Sequence, residues 1–208
     1  AREPNRRILA EFDGKSLTAG ELAAAANRLT RALRALGLKP GDAVATCLPN
    51  CVEMIEAYLA AFQAGFYLVP INHHLVAAEV AYILSDCEAK AFLRHESFAD
   101  ICRPAAAGAK LPSNSRLSVG KIAGFTALAS VTSGLSGELP EDRTAGQVMN
   151  YTSGTTGRPK GVRRALAPVD PDMMGSLYAL FLSMFGVQPE SGNVHLCGSP
   201  LYHTAVLM

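Results

Sequence analysis

The chain has 208 residues, 49% of them hydrophobic and 18% charged, with a formal net charge of +1. That is enough apolar material for one sizeable core and a globular, not disordered, chain, and the balanced charge shows no electrostatic footprint for nucleic acid. Five Cys, at 47, 51, 87, 102 and 197, form no C-x-x-C pair, which argues against a disulfide framework and a zinc site.

The N-terminus carries Arg2, Arg6 and Arg7 but no apolar h-region, so no secretory signal is expected. Thr18-Ala-Gly-Glu21 is a capping box that opens a helix to about Leu36. Its apolar stripe is Leu22, Ala26, Leu29, Leu33 and Leu36, and Gly37 supplies the stop. Lys39-Pro-Gly-Asp42 reads as a turn, and residues 43–48 as a short buried strand. Asn50-Cys-Val-Glu53 reads as a second capping box. The helix it predicts carries Val52, Ile55, Leu59 and Phe62 on one face and stops at Gly65. Residues 66–71 are the next strand. The apolar run from 54 to 71 is broken by Glu56, Gln63 and Gly65, so it does not read as a membrane span.

A third helix is predicted over 76–84, followed by a strand over 89–93. Residues 103–116 and 133–146, rich in Pro, Gly, Ala and Ser, read as surface connections with a short strand at 116–119 between them. Residues 147–151 are the strand that delivers a Gly/Thr loop, and 162–164 the returning strand. Asp170-Pro171 is an N-cap and first helical residue for a helix to about Phe185. Its stripe from Leu177 to Phe185 reads as a core face, with the wall of an apolar ligand tunnel as the rarer reading. Residues 194–197 are a last strand, ending in Gly198-Ser-Pro-Leu-Tyr-His-Thr204. Strands alternating with helices predict an α/β fold, a layered αβα arrangement around a mainly parallel sheet.

The loop is Tyr151-Thr-Ser-Gly-Thr-Thr-Gly-Arg-Pro-Lys-Gly-Val162. Its glycines bring bare N–H groups close to anionic oxygens, its hydroxyls donate hydrogen bonds or touch Mg²⁺, and Arg158 and Lys160 add positive charge. This chemistry suits a triphosphate. The spacing is not that of a Walker A loop, because Pro159 precedes the lysine and Gly161 follows it.

The segment resembles the phosphate-binding signature of adenylate-forming (AMP-binding) enzymes, which include acyl- and aryl-CoA synthetases and peptide-synthetase adenylation domains. Further matches run in order along the chain. They are Leu17-Thr18 with Glu21-Leu22, Gly41-Asp42 with Leu48-Pro49-Asn50, Ala64-Gly65 with Val69-Pro70-Ile-Asn72, Tyr82 to Asp86, and Pro200-Leu-Tyr-His203. Asn72 and His203 are more like the acyl- and aryl-CoA ligase branch than the peptide-synthetase branch. Arg163-Arg164 departs from the Thr-His pair that many relatives carry after Lys-Gly-Val.

The resemblance implies that residues 1–208 are the N-terminal portion of the AMP-binding domain, with the rest of that domain and a C-terminal domain expected beyond Met208. It implies an AMP-forming acyl-CoA ligase, an acid-thiol ligase that is catalytically incomplete in this stretch. Thr152, Ser153, Gly154, Thr155, Thr156, Gly157 and Lys160 would hold the phosphates, and Thr156 or Thr155 would touch Mg²⁺. Lys160 would offset pyrophosphate charge, and His203 would lie between the nucleotide and the acyl pocket. A packed or capping role competes for His203. ATP, Mg²⁺ and CoA are the implied cofactor and cosubstrates. The expected partner is a fatty or other apolar carboxylic acid, with no nucleic acid, no transmembrane segment, a cytoplasmic location and an oligomer left open. An amino-acid- or aryl-acid-activating domain, or a non-catalytic phosphate-binding fragment, is the alternative.

Overall fold

The computed structural model describes residues 4–12, 15–152, 158–188 and 192–203. Its strands are β1 (Arg7–Phe12), β2 (Lys15–Thr18), β3 (Ala43–Cys47), β4 (Tyr67–Pro70), β5 (Ala89–His95), β6 (Arg116–Val119), β7 (Thr126–Ala127), β8 (Gln147–Val148), β9 (Tyr151–Thr152) and β10 (Lys160–Gly161). The helices are α1 (Ala19–Ala35), α2 (Val52–Ala64), α3 (Ala77–Asp86), α4 (Ala99–Gly108), α5 (Leu128–Thr132) and α6 (Pro171–Ser183).

Six strands form one parallel sheet in the order β7-β6-β5-β3-β4-β8. A parallel sheet needs both faces covered, and here each face has its own apolar cluster. On one side Val44, Leu68, Ala91, Leu93 and Leu117 pack with Leu29 and Leu33 of α1 and Met54 and Ala61 of α2. On the other, Ala45, Tyr67, Val69 and Phe92 pack with Val80, Ile83 and Leu84 of α3 and Cys102, Ala105 and Ala106 of α4. The expected α/β layering is therefore present. Thr18 and Glu21 form the predicted capping box, with Thr18 N–H donating to Glu21 Oε2 at 2.8 Å and Glu21 N–H to Thr18 Oγ1 at 3.2 Å.

Several local expectations are corrected. α2 starts from Cys51 without a side-chain cap, because the Asn50 amide is engaged elsewhere, as described below. Part of the expected 103–116 connection is helix. α4 continues through Pro104 and buries Cys102, Ala105 and Ala106, so packing against α3 outweighs the backbone hydrogen bond that proline cannot make. α3 runs two residues past 84, to Asp86, and α5 is a short helix with no clear sequence signal. The 147–151 strand divides into β8 in the sheet and β9 outside it, and the returning strand is Lys160–Gly161 instead of 162–164.

The segment 194–197 is not a strand, and Val194 and Leu196 are almost fully exposed. A short apolar run with one β-branched residue, Val194, does not make a strand unless it pairs with a neighbour. α6 is capped as expected, with Asp170 Oδ1 accepting from Asp172 N–H at 2.7 Å and Met173 N–H at 3.3 Å. Its apolar stripe, however, is not a core face: Leu177, Tyr178, Leu180 and Phe181 are all exposed.

Candidate functional site

β8 is an edge strand beside β4, and Met149 N–H still donates to Leu68 O at 2.8 Å before the chain leaves the sheet. It leaves as an antiparallel hairpin. Tyr151 lies opposite Gly161 and Thr152 opposite Lys160, and Val162 N–H donates to Asn150 O at 2.9 Å. Thr152 and Lys160 therefore form the neck of the Gly/Thr loop. Ser153, Gly154, Thr155, Thr156 and Gly157 lie outside the described residues, as do the metal contacts expected of Thr155 and Thr156.

Lys160 is exposed, and its ammonium has no ion pair among the described residues. The Arg163 side chain and the Arg164 backbone tie the returning chain to the sheet. Arg163 Nη2 donates to Gly41 O at 2.6 Å and its guanidinium stacks 4.6 Å over the Tyr67 ring, while Tyr67 OH donates to Arg164 O at 2.5 Å. The Arg163 side chain and the Arg164 carbonyl are thus structural ties, whereas Lys160 is a cation at the neck with no ion pair among the described residues.

His203 sits on a second support. The Asn50 amide grips the preceding segment with both ends: Nδ2 donates to Ser199 O at 3.0 Å, and Leu201 N–H donates to Asn50 Oδ1 at 2.7 Å. Leu201 is buried, Tyr202 half-buried and His203 exposed. The Tyr202 ring meets His73 edge-on at 5.1 Å, and His73 stacks on Phe98 at 4.5 Å. Burial, reinforced by neighbouring His74, pushes the His73 pKa below its ordinary value and favours the neutral imidazole. His73 is therefore an aromatic packing element. His203 presents its side chain from a turn closed by its own N–H to Pro200 O at 2.9 Å.

Asn50, Asn72 and His73 lie just beyond the carboxyl ends of β3 and β4, where open parallel sheets bind ligands. Lys160 and His203 are held by different parts of this frame, and among the described residues no hydrogen bond or ring contact joins them. Sequence reasoning missed the grip of Asn50, since the capping pattern offered a complete local explanation for that residue. Two clefts, of about 480 and 420 Å³, lie at the opposite, β6–β7, end of the sheet. Among the described residues no group of three or more His, Cys, Asp or Glu is arranged to hold a metal ion, and no helix is long and apolar enough to cross a membrane.

The family model for AMP-binding enzymes matches residues 1–208. The chain belongs to the AMP-binding enzyme family. Among curated members it is similar to a feruloyl-CoA synthase of Amycolatopsis sp, with 30% identity over 93% of this chain and 36% of the relative. It is similar to a long-chain-fatty-acid–CoA ligase of Mycobacterium tuberculosis at 36% identity, over 70% of this chain and 29% of the relative. Surfactin synthase subunit 1 of Bacillus subtilis is 34% identical over 78% of this chain and 4% of that much longer protein. The chain thus spans about a third of the length of the CoA ligases it matches. Among solved structures, the inhibitor-bound N-terminal domain of a Mycobacterium tuberculosis protein, FACL13, superposes with a TM-score of 0.72 at 27% identity. That match covers 99% of this chain and 50% of the other.

Proposed function

We propose that the chain supplies the phosphate-gripping part of an AMP-forming acyl-CoA ligase. The observation that carries this reading is the hairpin neck, which places a lysine with no ion pair among the described residues opposite a threonine at the mouth of a Gly/Thr loop in an AMP-binding family member. In the first step a substrate carboxylate oxygen attacks the α-phosphorus of ATP. The O–Pα bond forms as the bond to pyrophosphate breaks, giving acyl-AMP. In the second step the CoA thiol displaces AMP to give the thioester, releasing its proton.

The carboxylate is already ionised at neutral pH, so the first step needs alignment and charge stabilisation but no general base. Thr152, Ser153, Thr155 and Thr156, with the Gly154 and Gly157 amides, donate to the β- and γ-phosphates. Lys160 holds positive charge against the departing pyrophosphate. The hydroxyl-rich loop suits a magnesium ion, which Thr156 or Thr155 would touch. Such an ion would supply further charge neutralisation on the triphosphate. His203, presented from the Asn50-held turn, lies between nucleotide and acid.

A fatty or other apolar acid is the proposed substrate, supported by the similarity to a long-chain-fatty-acid–CoA ligase. The five cysteines are all free thiols, in keeping with a reducing, cytoplasmic setting. The similarity to surfactin synthase favours amino-acid activation as the second reading, and the feruloyl-CoA synthase similarity an aryl acid. Acid-dependent ATP–pyrophosphate exchange by the intact protein, run over fatty, aryl and amino acids and followed by thioester analysis with CoA, separates them. Exchange with fatty acids and a CoA thioester product is the expected result. Exchange with amino acids only, or with no acid, would overturn it.

A further inference from the structure

The end of α3 touches both arms of the phosphate-loop hairpin. Tyr151, the last residue but one before the loop, donates its hydroxyl proton to Asp86 Oδ2 at 2.6 Å. The other oxygen of the same carboxylate, Oδ1, accepts from Tyr82 OH at 3.3 Å, one helical turn earlier. The Tyr82 ring in turn lies beneath the guanidinium of Arg158, 5.5 Å from its centroid, on the arm that leaves the loop. One carboxylate and one ring on a single helix face thus hold the entry and the exit of the loop.

Gly161 completes the arrangement. A Cβ built there would lie 2.8 Å from Tyr151 Cζ and would also collide with the Met149 methyl, so only glycine lets the Tyr151 ring lie across β10 and reach Asp86. Burial, and then the bond to Asp86, push the Tyr151 hydroxyl above its ordinary pKa, so it stays a proton donor throughout the neutral range. α3 itself is fixed to the sheet through Val80, Ile83 and Leu84, which makes Asp86 part of the rigid frame.

We propose that Asp86, with Tyr82, is a positioning residue for ATP: it fastens the phosphate loop to the sheet by gripping Tyr151 on one arm and, through the Tyr82 ring, Arg158 on the other. The inference rests on the carboxylate-activating reading above. Neither residue touches substrate. Their effect is to hold the neck formed by Thr152 and Lys160 in place before ATP arrives, so that less of the binding energy goes into positioning it.

The test uses the intact protein and four variants: Asp86→Ala, Asp86→Asn, Tyr151→Phe and the Asp86→Ala/Tyr151→Phe double. Losing a hydrogen bond to a charged group predicts a rise of about tenfold in the KM for ATP in pyrophosphate exchange, with the KM for the acid unchanged. Asp86→Asn keeps an oxygen that accepts from Tyr151 and should retain most of the ATP affinity. The double variant should be no worse than the worse single, because both remove one contact. Amide hydrogen exchange at Val162, whose N–H is bonded across the hairpin to Asn150 O, should accelerate in Asp86→Ala when measured without nucleotide. Unchanged hairpin exchange, additive KM effects, or equal rises in both KM values would overturn the positioning role. Wild-type protein that exchanges pyrophosphate with no acid would overturn the functional reading instead, while the hairpin exchange still reports on the latch.

Discussion

Leu93 and Leu180 are the same side chain in opposite circumstances. Leu93, in β5 at the middle of the sheet, is 1% exposed; Leu180, in α6, is 64% exposed. The difference extends to their surroundings. The sheet from β3 to β6 is sealed by α1 and α2 on one face and by α3 and α4 on the other, whereas α6 buries only Pro171 of its own residues. Its Tyr178 meets the rest of the chain through Phe62 at 6.2 Å. Stability is therefore concentrated in the layers that carry the hairpin and Asn50, and an amphipathic pattern alone does not reveal which helix carries it.

The comparison is broken most strongly at Gly146, where the chain enters β8. A Cβ there would collide with the carbonyl oxygens of Ala61 and Phe66, which are backbone and cannot swing away. Gly146→Ala should cost about 4 kcal/mol or more, read as the shift in a urea melt. Leu93→Ala should cost about 3 kcal/mol through lost transfer energy and the cavity left behind. Leu180→Ala should stay within about 0.5 kcal/mol of the parent in the same chain. Equal losses at the two leucines would mean that α6 is packed in solution.

A smaller effect concerns how α6 is attached. Arg143 Nη1 and Nη2 each donate to Asp172 at 2.8 Å, and this hydrogen-bonded pair holds the Asp172 carboxyl below its ordinary pKa. The sign follows from linkage. The contribution is fully present above the ordinary aspartate value and is lost as pH falls through the lower folded-state value. Because Asp172 is three-quarters exposed, the contribution should stay below about 1 kcal/mol. Melts of the parent and Asp172→Asn should therefore differ slightly at pH 7 and converge in acid. A gap that widened on acidification would refute the assignment.

The β/α alternation was legible because it is written in local signals. Thr18 and Glu21 cap α1, Gly65 ends α2, and the buried strands are short apolar runs between turn residues. The hairpin that carries the loop was legible from its turn residues, and three glycines, four hydroxyls and two cations in ten residues are what suggested a phosphate ligand. What escaped was non-local. Asn50 matched a capping box, yet its amide spans 149 residues to reach Ser199. Tyr82 to Asp86 stood out only as a family match around the end of a helix over 76–84, and nothing local tied it to Tyr151, which rests on it. Pro104 and the small residues around it suggested a loop, and only the apolar surface of α3 makes that stretch a helix. The strand expected at 194–197 failed for the converse reason, since that run pairs with no strand among the described residues.

The central claim, that the hairpin neck grips the phosphates of ATP during carboxylate activation, is tested most directly by acid-dependent ATP–pyrophosphate exchange in the intact protein carrying Lys160→Ala. The variant should fold as the parent does, since Lys160 is exposed and unpaired among the described residues. Its exchange rate should fall by about 10²-fold, the scale for losing a well-placed charge-stabilising donor. Exchange at the parental rate would contradict the account.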